Sequence, residues 1–183
     1  MTREEVLDSI KANIENQNLL KHMLATEAIM RSMAKCLGED EEEWGLTGLL
    51  HDIDMELTEG DMRTHSKLGA DLARELGASA TMVQAILCHN ETHGVPAETR
   101  LDKALRCADP LTGLIVAAAL VRPDKKLAGL EATSVKKRFK EKSFAAGADR
   151  QQITNCSQLG IELDEFIELG LKAMQNIAPK LGL

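Results

Sequence analysis

Apolar side chains recur three and four residues apart along most of this chain, which is the spacing of one face of an α-helix. The first such segment places Val6, Ile10 and Ile14 on one face, and a longer one from 18 to 37 stops at Gly38, a residue type common just beyond a helix. Aromatic residues make up 2% of the sequence and β-branched residues are few, which disfavours β-sheets. The pattern predicts an all-α fold, a bundle of about five core helices with additional C-terminal helices.

Capping residues and apolar stripes place the remaining helices. The acidic run Glu39–Glu43 suits the positive end of a helix dipole, and Thr64 and Ser79 are each suited to cap a helix N-terminus. Pro110 lacks a backbone donor, so we expect a kink or a helix restart there. The apolar segment 111–121 is too short to span a membrane and is predicted to be buried in the core or in an interface. The other helices are predicted over residues 3–15, 40–52, 65–76, 80–90, 99–108, 148–157 and 163–178.

Charge and composition restrict the partners of the chain. Its 183 residues carry a formal net charge of −7, which makes general nucleic-acid or anionic-membrane binding unlikely, and so few aromatic rings cannot build a base-stacking platform. No apolar run reaches membrane-spanning length, and no apolar leader follows Met1. The four cysteines lack Cys-x-x-Cys spacing and lie in apolar helical contexts, so we predict a cytoplasmic protein with reduced, buried thiols at Cys36, Cys88, Cys107 and Cys156.

The composition changes after Pro123. Basic residues crowd into the segment from 122 to 142, opposite only a few carboxylates. We therefore divide the chain into a helical domain of residues 1–121 and a helical extension of residues 122–183 packed on it. The basic stretch is either a solvated helix face or a surface that contacts phosphate.

A histidine and an aspartate, His51 and Asp52, stand side by side at the end of an apolar run. Imidazole nitrogen and carboxylate oxygen together suit Zn, Mn, Fe, Co or Ni. Further metal-type side chains lie at or near the ends of other predicted helices, and a bundle can bring such ends to one internal site. These further candidates are His22, His65, His89 and Asp109, with His93 left over in a loop.

The order of these residues resembles the HD superfamily of metal-dependent phosphohydrolases. The pattern H…HD…H…H…D is carried by His22, His51-Asp52, His65, His89 and Asp109. The flanks are similar too: Gly48-Leu-Leu-His-Asp-Ile resembles "LLHDIG", His65-Ser-Lys-Leu-Gly-Ala-Asp resembles "H-x-x-x-G-A-E", Ala85-Ile86-x-x-His89 resembles "A-I-x-x-H", and Ala108-Asp109 resembles the closing "AD". The resemblance covers roughly residues 18 to 115.

The chain departs from the family's common "HDIGK" sequence at two positions. Asp54 and Met55 stand where that sequence has glycine and lysine. Where the lysine would neutralise a phosphate, this chain has to use another cation, with Lys67, Arg106 and the basic cluster as candidates.

The resemblance implies an HD-type bundle that holds one or two divalent transition-metal ions (Fe, Mn, Zn, Co or Ni). The first metal would be held by His22, His51, Asp52 and Asp109, and a second by His65 and His89 with Asp52 bridging. A two-metal pair about 3.5–4 Å apart can bind a nucleophilic hydroxide and clamp a phosphoryl oxygen. We predict catalytic roles for Asp52, for His93 as a phosphate contact or proton donor, and for Lys67 as the replacement cation.

Three functions stay open from the sequence. The first is a metal-dependent phosphohydrolase that uses a metal-bound hydroxide on a small phosphorylated metabolite or nucleotide. The second is an HD-fold di-iron oxygenase with a similar ligand set, and the third is a non-catalytic regulatory module that contains a metal. A homodimer is possible. Some of these residues also have purely structural interpretations. His65 could be an exposed first-turn residue, and His93 could be an ordinary loop histidine. Asp54 and Glu56 could be solvated carboxylates instead of groups that orient water or a ligand histidine.

Overall fold

A computed structural model describes all 183 residues, and it contains α-helices and two short 3-10 turns but no strand. The predicted all-α fold is therefore confirmed. The helices are α1 (Arg3–Asn13), α2 (Gln17–Leu37), α3 (Glu41–Leu50), α4 (Lys67–Glu75), α5 (Ala80–His89), α6 (Arg100–Leu120), α7 (Ala132–Lys140), α8 (Arg150–Thr154), α9 (Leu163–Asn176) and α10 (Ala178–Leu181).

Helix α2 lies at the centre of the bundle and packs against α3, α6 and α9. Its end is set locally, because Gly38 adopts the left-handed conformation (φ 72°) that glycine tolerates best. The backbone of α2 comes close to α3 at Gly48, where an added Cβ would lie 3.0 Å from the carbonyl oxygen of Thr26. Gly48 stands one turn before His51, so this small residue lets the backbone of α2 come close to the ligand-bearing end of α3.

Two predicted boundaries are wrong. Residues 99–108 and 111–121 belong to one helix, α6, with Pro110 in its interior instead of at a restart. Proline removes one backbone bond there, but the residues around it remain helical because the apolar face of α6 is buried on both sides of that position. Helix α4 begins at Lys67, and Ser66, not Thr64, occupies the position before it. No helix is both long enough and apolar enough to cross a membrane.

The C-terminal helices share the core of the N-terminal ones. Side chains of α9, such as Phe166, belong to the same buried cluster as those of α2 and α6. Gly170 of α9 lies so close to α6 that an added Cβ would be 2.6 Å from Leu111. We accordingly keep the division into residues 1–121 and 122–183 as a proposal, in which the extension completes the core.

The cysteines differ from the prediction at one position. Cys88, Cys107 and Cys156 are buried as free thiols, and burial raises their pKa values above the ordinary range. Cys36 is exposed, because it lies near the C-terminal end of α2 on the face that no other helix covers.

Candidate metal centre

The six predicted metal ligands come from five segments of the fold and meet in its interior. Helix α2 supplies His22, the C-terminal end of α3 supplies His51 and Asp52, and the segment before α4 supplies His65. The last residue of α5 is His89, and the middle of α6 carries Asp109. His65 is buried, so its interpretation as an exposed first-turn residue is wrong.

A first cluster contains His22, His51, Asp52 and Asp109. The Nε2 atoms of His22 and His51 are 3.1 Å apart, and each is 3.4 Å from Oδ2 of Asp52. Oδ1 of Asp109 is 3.2 Å from Nε2 of His22 and 3.9 Å from Nε2 of His51. One donor atom each from His22, His51 and Asp52 thus faces a common point, and Asp109 approaches from the side of His22.

A second cluster forms on the other oxygen of Asp52. Nε2 of His65 and Nε2 of His89 are 3.2 Å apart, and each is 3.5 Å from Oδ1 of Asp52. The two oxygens of one carboxylate therefore face two separate groups of histidine nitrogens. This is the arrangement expected of a residue that bridges two cations.

The side-chain nitrogens that face away from the clusters fix which ring nitrogen carries hydrogen. Nδ1 of His51 lies 2.8 Å from the carbonyl oxygen of Gly48, and Nδ1 of His89 lies 2.6 Å from that of Ile86. A carbonyl oxygen only accepts, so both Nδ1 atoms donate. In the neutral rings, Nε2 then presents a lone pair to the cluster.

The other two histidines are oriented in the same way. Nδ1 of His65 donates to Oδ1 of Asp54 at 2.9 Å. The hydroxyl of Thr112 donates to the backbone carbonyl of Asp109 at 2.7 Å, which leaves its oxygen to accept from Nδ1 of His22 at 2.9 Å. Partners of this kind orient metal-binding histidines in proteins. The sequence analysis did not single out Thr112, although its position three residues after Asp109 places it on a neighbouring part of the same helix face.

The donor set fits a divalent metal. His65 and His89 direct lone pairs at each other and at a carboxylate oxygen of Asp52, and acceptors this close repel one another unless positive charge lies among them. With metal–ligand bonds of about 2.1 Å, tetrahedral ligand atoms stand about 3.4 Å apart. The observed separations of 3.2 and 3.5 Å match that spacing. His22, His51 and Asp52 of the first cluster meet the same test with separations of 3.1 to 3.4 Å.

The pKa values in the first cluster are shifted because two carboxylates lie beside the histidines. Burial opposes protonation of His22, but hydrogen bonds to Asp109 and Asp52 outweigh it and raise the pKa of His22 to about 10. Burial also opposes ionisation of Asp52, yet the charge of His51 and bonds from the surrounding histidines hold the pKa of Asp52 well below its usual value. Burial is outweighed at Asp109 too, where the bond to His22 lowers the pKa. A protonated His22 thus places positive charge beside the carboxylates of Asp52 and Asp109. A bound metal ion would supply that charge instead and would displace the proton from His22.

Asp54 has a defined role beside the second cluster. It is completely buried, and it accepts hydrogen bonds from Nδ1 of His65 and from the backbone N–H groups of Ser66 (2.8 Å) and Gly69 (2.9 Å). It therefore orients His65 and satisfies free donors at the start of α4. A Cβ at Gly69 would lie 3.0 Å from this carboxylate, so the glycine permits the approach. The interpretation of Asp54 as a solvated carboxylate is wrong.

We predict that Asp54→Asn weakens the second metal selectively. The amide keeps the size of the side chain but loses the charge that makes His65 a stronger donor, and such changes typically cost about 10- to 100-fold in metal affinity. Titration of the second ion against a competing chelator measures the effect. Asp61→Asn, in the same connecting segment but paired with Arg63 on the surface, is the control. Equal affinity in both variants would show that Asp54 only caps α4.

The other predicted site residues lie outside the two clusters. His93 donates from Nε2 to the backbone carbonyl of His65 at 2.6 Å, so it supports that segment. Lys67 is exposed and its Nζ lies 3.3 Å from the carbonyl of Arg63. The catalytic roles of His93 and Lys67 stay predictions. The guanidinium of Arg106 is engaged by the carbonyls of Cys88 and Val95 and is not directed at a phosphate.

Glu56 is the other carboxylate whose role the sequence left undecided, and it does not orient a ligand histidine. Its carboxylate accepts from the backbone N–H groups of Glu15 (3.0 Å) and Asn16 (2.7 Å), where α1 connects to α2. Glu56 therefore joins the segment after Asp52 to the start of the helix that carries His22.

The family model of the HD domain matches residues 19–119, which is more than half of the chain and includes all six clustered residues. This chain belongs to the HD domain family. The predicted HD-type bundle is thereby confirmed, and so is the family resemblance of the H…HD…H…H…D pattern.

This chain is also similar to proteins named Ribonuclease Y. The relative from Oleidesulfovibrio alaskensis is 36% identical over 98 residues, which cover 54% of this chain and 18% of the relative. The relative from Desulfotalea psychrophila is 32% identical over 148 residues, which cover 78% of this chain and 28% of the relative. The chain thus spans less than a third of the length of these relatives. No solved structure matches it.

Proposed function

We propose that this protein is a metal-dependent phosphohydrolase with two metal ions. The observation that carries the proposal is the position of Asp52, whose two oxygens each face a separate group of histidine nitrogens. Membership of the HD domain family and the Ribonuclease Y relatives support hydrolase chemistry.

In this proposal the buried ligands divide between two tasks. His22, His51, Asp52 and Asp109 hold the first ion, and Asp52, His65 and His89 hold the second. Ions bound there would polarise a phosphoryl oxygen and activate water. Asp54 and Thr112 keep the Nε2 atoms of His65 and His22 directed at the centre.

The site opens on the side of the first cluster. The side chains of His22 and Asp109 are 26% and 32% exposed, whereas those of His51, His65 and His89 are almost completely buried. A cavity of about 350 Å³ lies against His22 and Asp109, at the small end of the range for ligand pockets. We infer that substrate approaches past these two residues.

The substrate is proposed in two classes. The first class, a small phosphorylated metabolite or nucleotide, is the substrate that the sequence analysis predicts. The cavity of about 350 Å³ beside His22 and Asp109 is within the size range of small-ligand pockets. RNA is the second candidate, because the relatives are named Ribonuclease Y. A di-iron oxygenase and a non-catalytic metal module are the functional alternatives that the experiment has to separate.

We expect the purified protein, loaded in turn with Mn, Co, Ni, Mg, Zn or Fe, to hydrolyse phosphate esters. The measurements are release of p-nitrophenol from its mono- and diester, and of phosphate from a nucleotide panel, in air and under anaerobic conditions. Hydrolysis that needs metal and does not need oxygen would support the proposal. An iron form with visible absorption and an EPR signal but no hydrolysis would identify the oxygenase. Metal uptake without either activity would identify the non-catalytic module.

A further inference from the structure

Three cavities join into one groove that passes the metal centre. The cavity beside His22 and Asp109 shares Gly147 and Ala148 with a neighbouring cavity of about 580 Å³. On its other side it shares His22, Thr112 and Gly113 with a third cavity of about 510 Å³. Together the three cavities offer more volume than a single phosphate ester requires, and the first metal cluster lies beside the middle one. The name "central groove" is used for these three cavities together.

Gly113 forms the floor of the central groove at the point where two of its cavities meet. It stands one turn after Asp109 and is exposed inside a helix whose neighbouring residues are buried. Glycine is unfavourable in a helix interior compared with alanine. Packing does not require it here, because an added Cβ would meet no atom within 4 Å. The missing side chain therefore leaves the groove continuous.

The wall opposite Gly113 is also built without large side chains. Ala145, Gly147 and Ala148 line the metal-side cavity. Arg150 holds this loop from behind, since its guanidinium donates to the backbone carbonyls of Ala145 (2.5 Å) and Ala148 (2.6 Å), and to that of Phe144. The wall is thus fixed by backbone bonds and is open towards the groove.

Both outer cavities carry lysines that have no carboxylate partner. Lys140 and Lys142 line the cavity beyond the loop, and Lys21 lines the cavity beyond Gly113. By contrast, nearby Lys136 is paired with Glu168. The one carboxylate in the loop-side cavity, Asp149, is occupied as the N-cap of α8. Lysine side chains therefore line both outer cavities of a chain whose net charge is −7.

We propose that the central groove binds a single polynucleotide strand across the metal centre. One phosphodiester would lie at the first cluster, with flanking phosphates near Lys140 and Lys142 on one side and near Lys21 on the other. This inference rests on the proposed function and narrows its substrate to the class of polynucleotide phosphodiesters. Recognition would be largely independent of base sequence, because the groove offers charge and shape and only one phenyl ring, Phe139, on which a base could stack.

The binding test uses a fluorescent 12-nucleotide single-stranded RNA with phosphorothioate linkages and the metal-loaded full chain. Fluorescence anisotropy should show at least a tenfold weaker affinity for the double variant Lys140→Ala/Lys142→Ala than for the unmodified protein. Its salt dependence should fall by about 1.4 in slope, which is two lost contacts at about 0.7 each. Lys137→Ala is the matched control, because Lys137 is exposed on the same helix but lines none of the cavities.

Gly113→Leu tests the path itself. The longer side chain should weaken RNA binding at least tenfold. The bound metal and the melting temperature should stay at or above those of the unmodified protein, because leucine favours helix and a Cβ at this position would meet no atom within 4 Å. Full RNA affinity in Gly113→Leu, or equal affinity in the double lysine variant and its control, would overturn the groove proposal.

Hydrolysis separates failure of the groove from failure of the proposed function. With unmodified RNA and bis(p-nitrophenyl) phosphate as substrates, the double lysine variant should lose at least ten times more kcat/KM on RNA than on the small diester. Equal losses, or a small diester preferred over RNA by the unmodified protein, would contradict the polynucleotide assignment. Tight lysine-dependent RNA binding without hydrolysis of either substrate would refute the phosphohydrolase and retain the groove.

Discussion

Asp52→Ala is expected to remove both hydrolysis and most of the bound metal. In the unmodified protein each oxygen of this carboxylate faces a different cluster, so one substitution takes a ligand from both. The first cluster keeps three donors and the second keeps two. Metal content should fall from about two ions per chain to less than about one, and phosphate-ester hydrolysis should fall to background. Elemental analysis and the p-nitrophenyl assay measure the two losses on the same sample.

The thermal stability of the same variant gives an independent measurement. A ligand that binds only the folded chain stabilises it by about 4 kcal/mol when its concentration is 1,000 times its dissociation constant. The unmodified protein should therefore melt at a lower temperature in chelator, whereas Asp52→Ala should melt at nearly the same temperature with and without it. Asp52→Asn, which keeps the side-chain size, should behave like Asp52→Ala.

Asp71→Ala is the control for this prediction. Asp71 is an exposed carboxylate of α4 that pairs with Arg74 and lies in neither cluster. It should keep the metal, the activity and the stabilisation by metal. If Asp52→Ala retained two ions per chain, the bridging role would be wrong even if activity were lost.

The positions of the helices were predictable because local signals determine them. Gly38 has no side chain to oppose the left-handed conformation, and Ser79 accepts from the backbone N–H of Met82. At Pro110 we expected a kink or a helix restart, and the restart is wrong because burial of both halves of α6 outweighs one lost backbone bond. The start of α4 was misplaced for a related reason: its free donors are satisfied by Asp54, which lies outside that helix.

The ligand types at the site were predictable, but their supporting partners were not. Histidines and aspartates in the order of the family pattern identify the candidates without any knowledge of distance. The bond between Asp54 and His65 joins residues eleven apart across an irregular segment, so no helical spacing indicates it. The sequence held one indication of this bond: Asp54 places a carboxylate where the family's common sequence has glycine. A buried carboxylate next to a ligand needs a partner, and the nearest ligand histidine supplies one.

Net charge is a weaker guide to the partners of a chain than the positions of its individual charges. A value of −7 averages over the whole surface, and the acidic residues near the start of α3 lie in a different part of the chain from the lysines of α7 and the loop after it. An approaching phosphate senses charges within about 8–10 Å at physiological salt. The expectation that nucleic acid is an unlikely partner therefore does not follow from the net charge alone, and the lysines that line the central groove determine the local field.

The number of metal ions is tested by His65→Ala and His89→Ala. Their Nε2 atoms lie within 3.5 Å of Oδ1 of Asp52 and of each other. The Nε2 atoms of His22 and His51 instead lie 3.4 Å from Oδ2. Each substitution should therefore reduce the metal content from about two ions per chain to about one, the change expected when one half of a two-metal site is lost. The remaining ion should be released by chelator as slowly as the first ion of the unmodified protein.

His93→Ala is the matched control, since it removes a neighbouring histidine without removing a donor from either cluster. His93 bonds to the backbone carbonyl of His65 and not to its ring, so its loss should weaken the second ion by less than the roughly 10- to 100-fold typical of groups that bond a ligand side chain. At saturating metal the count should stay at about two. If His65→Ala and His89→Ala instead retained the full metal content and raised KM, the centre would hold a single ion. The buried histidines around Oδ1 of Asp52 would then bind the phosphate group of the substrate, and their lone pairs would have to carry protons to do so.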